Sequence, residues 1–327
     1  MTIQQRDYSI DIVKCLAAII ITNSHMELLY GDYAVLATGG AFGDALFFFC
    51  SGYTLFLGRT GSFFNWYKRR INRIYPTVFA WALLAVLCFN HAMSMDEILM
   101  SGGGWFVSCI MIYYVLLYPI KRYAVPYLKA VFMIVISVVL IWYYGFENHE
   151  HFSMYGHTYF KWCHFFLFML LGAVMGLRYK EGKVPTVIKK MKFSIPLLLL
   201  SVVFFYAFFY FNRFSGWQNS VQLLSLIPLF FFCLSFYGVC NSQIAKRIYD
   251  NKVCKGILLT IGSLCLEIYL VQSSLFTDSM NAFFPFNLLI MFIYILLVAY
   301  VLRCMARIWS QTFKEGDYNW KEVIKLY

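Results

Sequence analysis

A chain of 327 residues that is 61% hydrophobic, 20% aromatic and only 13% charged, with a mean hydropathy of +0.66, lies far from the usage of a soluble domain. It reads as a polytopic membrane protein. The formal net charge of +11 is distributed as a topology signal, which leaves a nucleic-acid partner without support.

A bilayer-spanning helix needs about 20 predominantly apolar residues. Ten such stretches follow one another: residues 9–29, 37–58, 74–93, 104–120, 128–146, 160–177, 195–212, 220–240, 256–277 and 286–305. They predict an all-α membrane protein, a polytopic bundle of about ten transmembrane helices in one domain over residues 1–305, with a short polar tail at 306–327. The first stretch carries Asp11 and Lys14 in its opening turns and no small-residue cleavage pattern behind it, so it reads as a retained helix. With the N-terminus cytoplasmic, every one of the 27 Lys and Arg residues except Lys161 and Arg213 falls in an inner segment, as the positive-inside rule asks. An even number of spans keeps the C-terminus cytoplasmic as well. The ten cysteines form no CxxC pair and read as small core hydrophobes.

Ionisable groups at membrane depth are costly and mark functional sites by default. Asp11, His25, Asp44 and Glu267 stand out. His25 ends the apolar run of IIITNSHMELLYGDY, residues 19–33, with Glu27 and Asp32 just beyond. His25 and Asp44 lie at similar depth on consecutive antiparallel helices, roughly 6 Å and 9 Å inside the outer boundary. A carboxylate on one ring nitrogen would strengthen the other as a base, and a structural His–Asp hydrogen bond fits the spacing equally well.

The inner segment FFNWYKRRINRIYP, residues 63–76, groups Lys68, Arg69, Arg70 and Arg73 just before Pro76, where the third helix is expected to begin. A helix through it would put Arg70 and Arg73 on one side, a fork suited to phosphate oxygens; an ordinary positive-inside anchor is the alternative. The distance from residue 9 to His25 is roughly 24 Å along a helix, comparable with a phosphopantetheine arm on the order of 20 Å. A thioester could thus reach His25 from a nucleotide held at the arginines. Glu267, in LCLEIYLVQ, reads as a paired structural anchor with Lys14 or Arg73 as its partner. The outer loop ENHEHFSMYGHTYFKWCHFF holds His149, His151, His157 and His164. His-x-His with further His nearby can bind zinc, but the spacing is loose and the simpler reading is a solvated loop whose Phe152, Tyr155, Tyr159 and Trp162 join an interfacial aromatic belt or stack on an acceptor sugar.

The chain resembles the integral-membrane acyltransferase-3 family, which includes O-acetyltransferases of bacterial surface polysaccharides. The opening RDYSIDIVKCLAAIIITNSH is similar to the family's start through Arg6, Asp11, Lys14 and His25. GGAFGDALFFFCSGYTLF resembles its second helix through Asp44, Phe47, Phe48, Ser51 and Gly52, and RRINRIYP its Arg-x-x-Arg element through Arg70 and Arg73. Trp105 and Phe106, the Gly-containing FFLFMLLGAVMGL and the IGSLCLEIYLVQSSL segment agree, although members often end that last segment with His where this chain has Gln272.

The resemblance implies an O-acyltransferase of the bacterial cytoplasmic (inner) membrane. It would move an acyl group, most simply acetyl from cytoplasmic acetyl-CoA, to a hydroxyl of a surface polysaccharide or lipid-linked sugar on the outer side. His25 would be the base, Asp44 or Asp32 its orienting carboxylate, with Asp32 preferred over Glu27 beyond the turn. Arg70 and Arg73, flanked by Arg69 and Lys68, would hold the CoA phosphates. Ser51, Asn23 and Trp105 are candidate oxyanion donors, and direct transfer is favoured because no Cys or Ser stands out as a nucleophile. The implied partners are acyl-CoA, the glycan or lipid-linked acceptor and membrane lipids, with no metal. A transporter or flippase for an envelope precursor is the rival reading. Carriers show paired repeats and Gly/Pro-broken helices near the midplane, and neither is evident here.

Overall fold

The computed structural model of the chain describes residues 7–102, 104–148, 152–214 and 221–327. Arg6, His149 and His151 lie outside them. Among the described residues every regular element is helical, which is the outcome expected for a backbone that must satisfy its own hydrogen bonds in hydrocarbon. Seven helices are long and apolar enough to cross a membrane, or up to nine if each of two sharply bent pairs is one crossing. The stretch expected at 104–120 forms a helix, Trp105–Tyr123, but is not in that set: four tyrosines, Pro119 and the terminal Lys121–Arg122 dilute its apolar character.

One compact unit contains the residues up to Ala17, Ala41–Arg59 and Ile120–Gly256. The chain enters through α1 (Tyr8–Ser24), whose N-terminus is capped by Asp7: its Oδ1 accepts from the Ser9 backbone N–H at 3.0 Å, satisfying one of the orphan donors of a first turn. Within this unit α3 (Gly40–Leu57) and α7 (Phe160–Lys180) cross with their backbones almost touching. A Cβ on Gly172 would lie 1.9 Å from the Phe49 carbonyl oxygen, and one on Gly52 the same distance from that of Met169. Small residues give this approach in membrane helices, where van der Waals packing replaces the hydrophobic drive. The apolar helices α6 (Leu128–Phe146), α9 (Met191–Phe214) and α10 (Leu226–Cys240) belong to the same unit, with the short α8 (Thr186–Lys189) and α11 (Gln243–Asp250).

Of the described residues that lead into α7, Phe152 and Met154 are buried while Ser153, His157 and Tyr159 stay exposed, so the solvated loop expected is packed in part. Gln222 pins it, accepting from the Met154 N–H at 3.0 Å and donating to the Phe152 carbonyl at 2.8 Å. Phe152 is buried against Tyr143 and Phe160, and His164 is fully buried. A paired amide that closes the backbone lets a polar loop sink into an aromatic core.

The second unit contains Ala18–Gly40, Thr60–Pro119 and Ile257–Tyr327. Here α4 runs unbroken from Phe63 to Phe89, capped by the Ser62 side chain at the Asn65 N–H. It begins well before Pro76 and carries that proline inside it, as membrane helices tolerate. Its 27 residues extend about 40 Å, more than a hydrocarbon core of about 30 Å, and its polar residues gather in its first turns. α14 (Phe286–Thr312) packs on α4, with Phe79 stacked on Trp309 at 5.7 Å. Beyond α14 the chain turns at Asn319, which caps the short α15 (Trp320–Val323), and Arg307 donates to the carbonyls of Val323 and Lys325.

Two helix pairs are bent at short breaks. α1 meets Glu27–Leu36 at 67°, and α12 (Lys252–Ser263) meets α13 (Cys265–Leu275) at 71°. The sequence shows no sign of either, because neither break contains a proline; side chains that satisfy the interrupted backbone hold both bends.

Candidate functional site

His25 occupies the first of these breaks. α1 ends at Ser24, and His25 is an exposed turn residue whose N–H donates to the Thr22 carbonyl at 3.1 Å. The turn is held from several directions. Asn23 donates both amide hydrogens, to Leu36 O at 3.0 Å and Thr38 O at 3.1 Å, and its Oδ1 accepts from the Tyr30 hydroxyl at 2.6 Å. The carbonyls of Leu28 and Leu29, in the short α2 (Glu27–Tyr30), accept from Asn281 at 3.0 Å and from buried Asn287 at 2.8 Å. Interrupted backbone is tolerated at such depth only when protein groups satisfy it. His25 thus sits on a rigid corner. Asp32 lies six residues beyond Met26 in the exposed 3-10 segment Gly31–Leu36.

Both amide hydrogens of Asn23 are committed to the loop. Thr22, one turn before His25, is fully buried, and its hydroxyl has no hydrogen-bond partner among the described residues. Gln272, in α13, is likewise buried with its Oε1 unpartnered among them.

The basic cluster lies on the first turns of α4. Arg70 is half-buried. Its guanidinium carbon stands 3.8 Å from the centroid of the Trp66 ring and 5.8 Å from that of Tyr114, and Nη1 donates to the Trp66 carbonyl at 2.8 Å. Trp66 is fully buried, and its indole N–H donates to the Tyr114 carbonyl on α5 (Trp105–Tyr123) at 3.0 Å. No carboxylate among the described residues lies within ion-pair distance of Arg70 or Arg73. A guanidinium carries five N–H donors, so most of those on Arg70 remain for a ligand. Arg73, one turn on, is exposed, as are Lys68 and Arg69; Arg69 donates to the Thr60 carbonyl at 2.9 Å. Trp66 and Tyr114 were missed by inspection of charges alone, although the i, i+4 spacing of Trp66 and Arg70 places ring and cation on one face.

Asp44 belongs to the first unit, on α3. Lys161 of the same unit, one of the two cations that break the positive-inside pattern, is buried in the first turn of α7 and near enough to act on the Asp44 charge. It is thus a buried helix residue rather than a loop cation. Asp11 is buried and accepts from the Tyr249 hydroxyl at 2.9 Å. Asp7, which drew no attention in the sequence, accepts from the hydroxyls of Tyr53 and, at 3.3 Å, Tyr237.

Glu267 pairs with neither Lys14 nor Arg73. Its partner is Arg303 on α14, which meets the carboxylate with Nε and Nη2 at 3.1 and 3.0 Å. Arg303 also donates to the Ser263 hydroxyl at 2.8 Å and to its carbonyl, tying off the end of α12 at the second break. Of the loop histidines, His157 is exposed, whereas His164 Nε2 lies 3.0 Å from the Met154 carbonyl. No group of three or more His, Cys, Asp or Glu among the described residues is arranged to hold a metal ion.

The curated proteins and the solved structures return no match to the chain. The acyltransferase-3 family model, described as an acyltransferase domain, matches residues 7–305, from the Asp7 cap of α1 through most of α14. That span takes in the His25 corner, the α3 motif around Asp44 and the Arg70–Arg73 turn. The chain belongs to the acyltransferase-3 family and is a membrane acyltransferase.

Proposed function

We propose that the protein transfers an acyl group, acetyl in the simplest case, from cytoplasmic acyl-CoA to a hydroxyl of a surface polysaccharide or lipid-linked sugar on the outer side of a bacterial inner membrane. In this reading both termini are cytoplasmic and α5 completes ten crossings. Arg70 and Arg73 grip the CoA phosphates, with Lys68 and Arg69 adding positive potential around them. His25 takes the proton of the acceptor hydroxyl, and the oxygen attacks the thioester carbonyl. The tetrahedral intermediate collapses with loss of the C–S bond, and the CoA thiolate leaves with the proton. Asp32 or Asp44 orients the imidazole, and the unpartnered Thr22 hydroxyl is the nearest spare donor in sequence for the oxyanion.

The observation that carries this reading is Arg70: a half-buried guanidinium, stacked on an indole, with no anionic partner among the described residues of a chain in an acyltransferase family. A desolvated cation of this kind is costly unless an anion completes it. The two bent helix pairs are the feature a carrier would share, since carriers place substrate sites at broken helices. The test is release of CoA thiol from acetyl-CoA by protein purified in detergent, with a crude envelope glycan as acceptor. Loss of turnover with retained CoA binding is expected for His25→Ala, and loss of CoA binding for Arg70→Ala/Arg73→Ala. Full turnover in His25→Ala removes the histidine from the chemistry, and a wild type that does not bind CoA favours the carrier.

A further inference from the structure

The Arg70 guanidinium does not float at the end of a flexible chain. It lies over the face of Trp66 at 3.8 Å and is tied to that residue's own carbonyl. The indole beneath it is itself immobile. It has no exposed surface, its N–H is spent on the Tyr114 carbonyl of α5, and Tyr118 closes on it edge-on with centroids 5.9 Å apart. Tyr114, which supplies that carbonyl, also brings its ring within 5.8 Å of the guanidinium.

A free arginine samples many rotamers, and freezing them on ligand binding opposes affinity. A guanidinium already held over an aromatic ring and bonded to a carbonyl has lost much of that freedom before the ligand arrives. With one N–H spent on that carbonyl, most of its five donors stay available for bidentate phosphate recognition. The face of an indole also attracts the cation without neutralising it, unlike a carboxylate, so the positive charge stays available to an anion.

We propose that Trp66 is a positioning residue for the acyl donor: clamped by α5, its indole face holds the Arg70 guanidinium in the orientation that meets the donor's phosphates. This rests on the reading of Arg70 as a CoA-phosphate ligand. Its consequence is that donor affinity depends on the π-density of a buried ring that has no donor contact of its own.

The test uses the full-length protein in detergent, with equilibrium binding of CoA and steady-state turnover of acetyl-CoA. Trp66→Leu weakens CoA binding and raises KM for acetyl-CoA about ten-fold, with kcat held within about two-fold. Trp66→Phe, which restores a ring face without the N–H, recovers most of the loss. In an Arg70→Ala background, Trp66→Leu costs nothing further. Equal effects of Leu and Phe, or a Trp66→Leu loss undiminished in the Arg70→Ala background, would mean that the indole serves packing alone and would overturn the inference. Should Trp66→Leu fail to fold, ring-fluorinated tryptophans at position 66 keep shape and N–H while draining π-density. Stepwise weakening with fluorine number supports the stack, and a flat series overturns it. Unchanged CoA binding in Arg70→Ala would instead refute the phosphate-ligand reading on which the inference stands.

Discussion

Glu267→Gln should destabilise the protein while leaving turnover in place. Glu267 and Arg303 form a two-bonded pair whose side chains are only 5% and 14% exposed. The amide keeps one acceptor oxygen but presents an NH2 to the other guanidinium nitrogen, so a charge-assisted bond becomes a contact between two donors and the Arg303 charge is stranded. Removing one partner of a buried ion pair costs about 3–5 kcal/mol. The remaining amide oxygen, with Ser263 still accepting from Arg303 through its hydroxyl and carbonyl, puts this case near the lower end, about 3 kcal/mol. At about 2 °C per kcal/mol for a chain of this size, the midpoint should fall by about 6 °C. Thermal unfolding in detergent reads this directly, alongside thiol release at a temperature where both proteins are folded. Glu267→Gln/Arg303→Met removes the stranded cation and should regain most of the loss. A single variant melting within about a degree of wild type, or a double variant less stable than the single, would refute the reasoning. Lost turnover at unchanged melting would move Glu267 into the reaction.

Gly172→Ala should lower the unfolding midpoint by the equivalent of about 2–3 kcal/mol, because its Cβ would stand 1.9 Å from the Phe49 carbonyl oxygen and α3 and α7 would have to part. Gly256→Ala, whose Cβ meets nothing within 4 Å, should be neutral or stabilise by up to about 1 kcal/mol in the same melt. Asn23→Ala removes three hydrogen bonds from the His25 corner, each worth about 1 kcal/mol net. It should reduce kcat about ten-fold with KM for acetyl-CoA unchanged, and a raised KM with intact kcat would place the corner in donor binding instead. Gln222→Leu strands the Met154 N–H and the Phe152 carbonyl, at about 1–3 kcal/mol each, and hydrogen exchange should show the 152–159 segment opening before α7 does.

Local pattern alone carried the helical class, the positions of most long helices and the odd residues worth asking about. Hydropathy over some twenty residues is a local property, and a bilayer leaves few alternatives to a helix. The shared face of Arg70 and Arg73, and with closer reading Trp66 beneath Arg70, is equally local, because a helix repeats every 3.6 residues. The resemblance around His25, Asp44 and the arginines likewise lay in contiguous motifs, and the family match over residues 7–305 bears it out.

What only the tertiary structure decided is which group meets which. Glu267 is paired with Arg303, on the neighbouring α14, rather than with the Lys14 or Arg73 expected, since partner choice follows from which helices lie side by side. The breaks after Ser24 and Ser263 left no proline to read; they exist because Asn23, Asn281, Asn287 and Arg303 satisfy freed backbone from a distance. The burial of Lys161, and of Phe152 and Met154 beside Gln222, followed from the same cause. A polar group's cost in an apolar surrounding is set by its partners, and partners are assigned by packing rather than by sequence neighbourhood.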